Sequence, residues 1–382
     1  MRKPLPTAAV RKVAVIAHSS RSLLRFRGGL MRELVARRHR VLALAPDVDD
    51  AVAADLAAHD IQSAAFPLEH QTAGPFAARR TERAITESLK EFAPHVVVAS
   101  GPRTAMLGAV IGRSSGAARV VVIVNGLSAL GVDGETPSRW LQGSGARRRR
   151  KAAIAAADVL VFHNPDDPRT LLAEETMPAD KPYLVTAGSG IDLARYAAAP
   201  LPSLAGGLVF VMLARLVTRQ GVQTFAEAAA GLKPKAQAAR FVLAGLPSSD
   251  PDAVTTQQLA RWPGSLELLP PAADVRPLIA DAHVLVHPSM SEGLPGAVLE
   301  ALAVGRPVIA SDIPGSRLAV DERVNGVLVR PGDAAALAVA MESFLRRPDL
   351  IPAMARASRA KAERLFDERP VIEQMLRALE IG

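Results

Sequence analysis

The chain contains no cysteine in 382 residues, which excludes disulfides, thiolate metal sites and cysteine nucleophiles. Aromatic residues are scarce at 4%, and none are interleaved with the basic residues as in common nucleic-acid modules, so no nucleic-acid partner is expected. No stretch reaches the roughly 18 apolar residues of a membrane-spanning helix. The longest candidate, Ala118–Val124, leads into Asn125-Gly126 and reads as a buried strand. A secretory signal is not visible: basic Met1–Arg11 is followed only by the short apolar run Val13–Ala17. Neither half opens with a full G-x-G-x-x-G fingerprint, which argues against an NAD-dependent Rossmann enzyme. The expected location is the cytoplasm, with the inner face of the cell membrane as an alternative surface.

What is present is ample core material, 49% hydrophobic, enough for two domains at roughly 100–200 residues each. Short apolar runs alternate with amphipathic stretches. In the first half the runs are Val13–Ala17, Val41–Ala45, Val96–Ala99, Arg119–Val124 and Val159–Phe162. In the second they are Leu208–Leu213, Phe241–Ala244, Leu266–Leu269, Val284–Val286, Pro307–Ala310 and Gly326–Val329. Apolar residues on both faces of each run suit parallel sheets covered by helices. The intervening stretches, such as Gly29–Arg38, Thr81–Phe92, Val222–Leu232 and Ala334–Leu345, supply those helices. The fold class is therefore α/β, with two doubly wound domains. The segment Tyr196–Gly207 carries Pro200, Pro202, Gly206 and Gly207 without periodicity and reads as a linker. It separates domain 1–196 from domain 207–366, and a last helix at 367–382 follows.

Charge is unevenly spread. Residues 1–200 hold 27 Lys and Arg against 19 Asp and Glu, whereas the remainder balances at 19 and 19. An anionic membrane surface or a phosphorylated acceptor would match that excess. Arg147–Lys151 is a run of five cations, read as a solvated helix start or as part of such a surface.

The most informative segment is Ser291–Ile313, SEGLPGAVLEALAVGRPVIASDI. Gly293, Leu294, Pro295 and Gly296 form a tight turn opening a helix, whose amides can face an anion. Glu292 and Glu300, eight apart, flank that turn as acceptor-only carboxylates suited to sugar and ribose hydroxyls. In the first half, Arg27-Gly28-Gly29 is placed where the strand 1 loop meets a helix, either binding a phosphate or acceptor or serving only as a packing turn. Gly188-Ser189-Gly190-Ile191-Asp192 is a second glycine-rich turn. His163 and Asn164 end a strand, and Asp166 and Asp167 fit the start of the next helix. Asp47-Val48-Asp49 has a metal-binding form but reads as a solvated turn, and His283 and His287 lack metal-pair spacing on a strand.

The segment Ser291–Ile313 resembles the E-x7-E signature of glycosyltransferase family 4. Phe210–Leu232, FVMLARLVTRQGVQTFAEAAAGL, is similar to that family's first strand and helix of the C-domain. Ser22–Leu30, Asn125–Leu127, Val161–Asp167 and Gly188–Tyr196 resemble a bacterial subgroup that acts on polyprenyl-diphosphate-linked sugars. The resemblance implies the GT-B architecture, two Rossmann-like domains facing a cleft, with the donor on the C-domain and the acceptor on the N-domain. It implies a retaining, metal-independent transfer of a hexose or N-acetylhexosamine from a UDP-sugar to a glycan or lipid-linked acceptor, without a cofactor. Glu292 and Arg215 would serve the reaction. Glu300, Gly293, Leu294, Pro295, Gly296, Gln220 and Arg219 would bind the donor. Arg27, Gly28, Gly29, Asn125, Gly126, His18 and Ser100 would lie on the acceptor side. Two departures stand out. Gln220 occupies the place of a lysine before Gly221, with Arg219 as a substitute cation. Ser100 stands near the place of the family's histidine, leaving His18 as the histidine at the proper strand edge. A sugar-nucleotide epimerase of the same fold and a non-catalytic sugar-nucleotide binder are the alternatives.

Overall fold

A computed structural model describes residues 10–68, 74–101, 103–130, 144–248, 252–262, 264–272 and 274–381. Most of the basic start, residues 1–9, and Pro102 lie outside them. The chain divides into two units. Unit 1 runs to Gly190 and resumes at Glu368; unit 2 is Ile191–Asp367.

Unit 1 alternates strand and helix: β1 (Lys12–Ile16), α1 (Ser20–Ala36), β2 (Arg40–Ala45), α2 (Asp50–Ala57), β3 (Ile61–Ala65), α3 (Gly74–Phe92), β4 (Val96–Ser100), α4 (Thr104–Ser114), β5 (Arg119–Val124), α5 (Ser144–Ala156), β6 (Val159–Phe162), α6 (Asp166–Ala173) and β7 (Tyr183–Val185). Among the described residues these strands form one parallel sheet in the order β3-β2-β1-β4-β5-β6-β7. The sequence pattern missed β3 and β7 because both are edge strands. Their residues are half exposed, so no continuous apolar run marks them.

Unit 2 repeats the plan: β8 (Val209–Arg215), α7 (Val222–Leu232), β9 (Arg240–Leu246), α8 (Thr256–Leu259), β10 (Glu267–Leu269), α9 (Arg276–Ala280), β11 (Val284–His287), α10 (Gly296–Val304), β12 (Val308–Ser311), α11 (Pro314–Ala319), β13 (Gly326–Val329), α12 (Ala334–Arg346) and α13 (Ile351–Leu365). The sheet order is β10-β9-β8-β11-β12-β13. Strand order reverses between β1 and β4 in unit 1 and between β8 and β11 in unit 2. Such switch points open a crevice at the carboxyl ends of the strands, where doubly wound sheets bind ligands.

The unit boundary falls at Gly190–Ile191, not within the expected linker 196–207. Two arginines pin that segment onto unit 2. Arg359 donates to the Tyr196 carbonyl at 2.9 Å. Arg306, fully buried, donates to the carbonyls of Ala199 and Pro200 at 2.9 and 2.7 Å. The last helix, α14 (Glu368–Ala378), belongs to unit 1, where Met375, Leu376 and Leu379 join the core beneath α1. Gly190, at φ +72°, allows the returning chain to pass, since a Cβ there would overlap Glu368. Among the described residues no helix is long and apolar enough to cross a membrane.

Candidate functional site

At the switch point of unit 2, β8 ends in exposed Arg215 and the chain folds into a short 3-10 turn, Thr218–Gln220. Gly221 then takes the left-handed conformation, φ +75°, and a Cβ there would overlap the Pro288 carbonyl. This close approach, tied by the Met290 amide donating to the Arg219 carbonyl at 2.9 Å, brings Gln220 to the loop after β11. The Gln220 side-chain amide donates to Glu292 Oε1. His287 Nε2 lies 3.1 Å from Glu292 Oε2 and donates to it. His287 is 3% exposed and Glu292 is 26% exposed, so the glutamate is only partly covered while its partners stay inside. Burial alone would raise the Glu292 carboxyl. His287, by charge and hydrogen bond, the Gln220 amide and the charge of Arg215 outweigh it and hold the group below its ordinary value.

Arg219 joins these loops through its carbonyl, while its side chain turns elsewhere. Its guanidinium pairs with Asp252, so the expected substitution of Arg219 for the absent lysine is not what the side chain does. A neighbour in a 3-10 turn leaves the backbone in another direction, and Asp252 takes it.

Helix α10 begins at Gly296 with Pro295 ahead of it and no side-chain cap, which leaves first-turn amides open to an anion. The Gly293–Leu294 turn is backed by α11: a Cβ on Gly315 would overlap the Gly293 carbonyl and crowd the Leu294 amide. Leu294 and Pro295 are buried in that packing. Glu300, one turn into α10, is 1% exposed, and the Tyr196 hydroxyl donates to its Oε1 at 2.7 Å. Sequence spacing gave no sign of Tyr196. Its position in the segment read as a linker concealed it.

In unit 1 the expected glycine turn is different. Arg27, Gly28 and Gly29 lie inside α1, whose start is capped by Ser19 at Ser22 and by Asp47 at Ser20. Gly29 faces α14, where a Cβ would meet Glu368 and Ile372. Arg27 is 4% exposed and donates to Ser189 Oγ at 2.9 Å and Asn125 Oδ1 at 3.2 Å. Asn125 and Gly126 follow β5, and Gly126 is at φ +106°. At the β1–β4 switch point, His18 packs on Gly101, at φ +88°, where a Cβ would overlap its ring. Ser100 is buried and donates to the Ile16 carbonyl at 3.3 Å, a tie between strands. Asn164 accepts from the amides of Asp166 and Asp167 at 3.0 and 2.9 Å, so it caps α6 and the two aspartates form its first turn. Asp47 and Asp49 both cap helices, and His283 accepts from the Val209 amide at 3.0 Å. Among the described residues no group of three or more His, Asp or Glu side chains is arranged to hold a metal ion.

Residues 207–347 match the family described as Glycosyl transferases group 1. Every member of the Arg215–Gln220–Glu292–Glu300 set lies inside this matched segment, and Tyr196 lies before it. The chain is 27% identical over 216 residues to WcaL of Escherichia coli (strain K12), named as a colanic acid biosynthesis glycosyltransferase, over 54% of this chain and 53% of that protein. It is 28% identical over 169 residues to the N,N'-diacetylbacillosaminyl-diphospho-undecaprenol alpha-1,3-N-acetylgalactosaminyltransferase of Campylobacter jejuni, over 44% of this chain and 43% of that protein. The chain spans about half the length of the curated relatives it matches. The structure of Anabaena HepE in complex with UDP and glucose superposes with a TM-score of 0.75 at 19% identity, covering 97% of this chain and 99% of that one. That likeness shows the fold, which is GT-B.

Proposed function

We propose that the chain is a retaining glycosyltransferase that moves a hexose or N-acetylhexosamine from a UDP-sugar to a glycan or polyprenyl-diphosphate-linked acceptor in bacterial polysaccharide assembly. One observation carries the reading. At the switch point of the segment that matches group 1 glycosyltransferases, a partly exposed carboxylate is fixed by Gln220 and His287 beside the open amides of α10 and the cation Arg215. The HepE structure, with UDP and glucose, favours a UDP-sugar, and the Campylobacter relative, named for a diphospho-undecaprenol sugar, favours a lipid-linked acceptor.

In this reading the bond between the anomeric carbon and the leaving phosphate oxygen breaks, and the acceptor oxygen bonds to that carbon on the same face. The acceptor proton passes to the departing phosphate oxygen. Arg215 and the amides at Gly293–Gly296 stabilise the charge that develops on the diphosphate, without a metal or cofactor. Glu292 orients the donor sugar through hydroxyls that donate to it, and Glu300 serves the ribose, sharing its carboxylate with Tyr196. On the acceptor side stand Arg27, Asn125, Gly126, His18 and Ser100. The basic excess of unit 1 suits an anionic membrane surface. Arg147, Arg148, Arg149 and Lys151 are exposed on α5, and Phe76 on α3 is 76% exposed. Flotation on anionic vesicles at low salt checks this last point, and a protein that stays in solution there removes the membrane as a partner.

The deciding experiment incubates a panel of UDP-sugars with acceptors and reads product mass for wild type and Glu292→Ala. Transfer by wild type and its near loss in Glu292→Ala is the expected result. Epimer formation without transfer would favour an epimerase, and binding without turnover a non-catalytic binder.

A further inference from the structure

Arg27 is a buried cation whose hydrogen-bond partners are neutral acceptors. Its guanidinium donates to the Ser189 hydroxyl at 2.9 Å, to the Asn125 side-chain carbonyl at 3.2 Å and to the Phe26 carbonyl at 3.2 Å. Its Nε meets no acceptor. Burial pushes it down to about 10, which leaves it charged at neutral pH. Burial and the charge of Arg27 push His163 down to about 3, so the imidazole is neutral. A charge held among neutral groups is costly unless something compensates it.

That side chain opens on a cavity of about 10 Å³ lined by Arg27, His163, Ser189 and Glu368, by two glycines, and by apolar side chains of α1 and α14. A volume of that size admits one oxygen-sized atom. The lining comes from α1, α14, the end of β6 and the loop after β7, and Asn125 after β5 holds the guanidinium from outside the cavity. The loop is bent by Gly188 and Gly190 at φ +67° and +72°, which places Ser189 over the guanidinium.

We propose that Arg27, His163 and Ser189 form a seat for one phosphoryl oxygen of the acceptor, with Asn125 and Ser189 orienting the guanidinium toward it. This deepens the reading above, on whose acceptor side it rests: the group recognised is the diphosphate and not the sugar. Arg27 supplies charge-assisted hydrogen bonds, and neutral His163 supplies one ring N–H. Glu368, on the rim of the same cavity, opposes a second negative charge and limits the seat to a single oxygen.

The test measures binding of farnesyl diphosphate, farnesol and inorganic diphosphate by calorimetry, with saturating UDP present to occupy the donor site. Wild type should bind farnesyl diphosphate in a salt-sensitive manner and farnesol weakly. Arg27→Gln should lower that affinity about tenfold or more and leave UDP binding intact. Arg27→Lys and Ser189→Ala should weaken it less, and they keep the test available if Arg27→Gln does not fold. Glu368→Gln should tighten binding. Inorganic diphosphate binding as well as the farnesyl form would keep the phosphoryl seat and remove the lipid from it. Equal affinity in wild type and Arg27→Gln, equal binding of farnesol, or a Glu368→Gln protein that only loses stability would overturn the proposal. The last result would make Arg27 and Glu368 a structural pair. Failure of wild type to bind UDP would instead strike the donor reading and leave this site untouched.

Discussion

The side-chain amide of Gln220 donates to the carboxylate of Glu292, so a neutral group meets that carboxylate from the place where the family resemblance puts a lysine. The contact orients Glu292 without neutralising it, and the charge of Arg215 also acts on that carboxylate.

Gln220→Lys should therefore tighten UDP binding by roughly threefold to tenfold, since a charge-assisted bond replaces a neutral one. The gain should shrink as salt rises. Calorimetry at two ionic strengths reads both effects, and unchanged affinity would show that the diphosphate lies away from residue 220.

Gly221→Ala should damage both stability and binding. The left-handed backbone at φ +75° costs a non-glycine residue about 1–3 kcal/mol, and the added Cβ collides with the Pro288 carbonyl. Separating these two loops moves Gln220 from Glu292. A thermal melt with and without UDP checks it; a variant that melts lower yet gains the wild-type shift with UDP would contradict the coupling.

Tyr196→Phe should destabilise the protein by about 1–3 kcal/mol, the cost of stripping a hydrogen bond from a buried carboxylate. The Tyr196 hydroxyl and Glu300 Oε1 are 2.7 Å apart. Urea denaturation followed by fluorescence gives the number, and an unaltered midpoint would mean that water replaces the hydroxyl.

Two buried groups of unit 1 should titrate with opposite sign. His163 lies at about 3 against an ordinary 6.5, through burial and then the charge of Arg27. The unfolded chain takes up that proton first, so the stability it contributes is present above pH 6.5 and is lost as pH falls toward 3. Asp167 lies at about 6 against an ordinary 3.8, chiefly through burial. Its contribution is present below 3.8 and is lost as pH rises through 6. Accordingly His163→Gln should flatten the acid limb of a stability profile, and Asp167→Asn should remove the loss near neutral pH. Urea midpoints at pH 4.5, 6 and 8 compare them; identical profiles for all three proteins would refute the assignment.

The sequence by itself determined the α/β class, most central strands and the Ser291–Gly296 turn. Strands buried on both faces must be apolar throughout, and a tight turn into a helix start needs Gly and Pro at fixed places. Edge strands β3 and β7 escaped because half their residues meet water. Only the tertiary structure decided that Arg27-Gly28-Gly29 lies inside α1, that Arg219 turns to Asp252, and that Tyr196 reaches Glu300 across 104 positions. Such contacts join residues distant in the chain, and they depend on backbone direction and packing that no local pattern encodes.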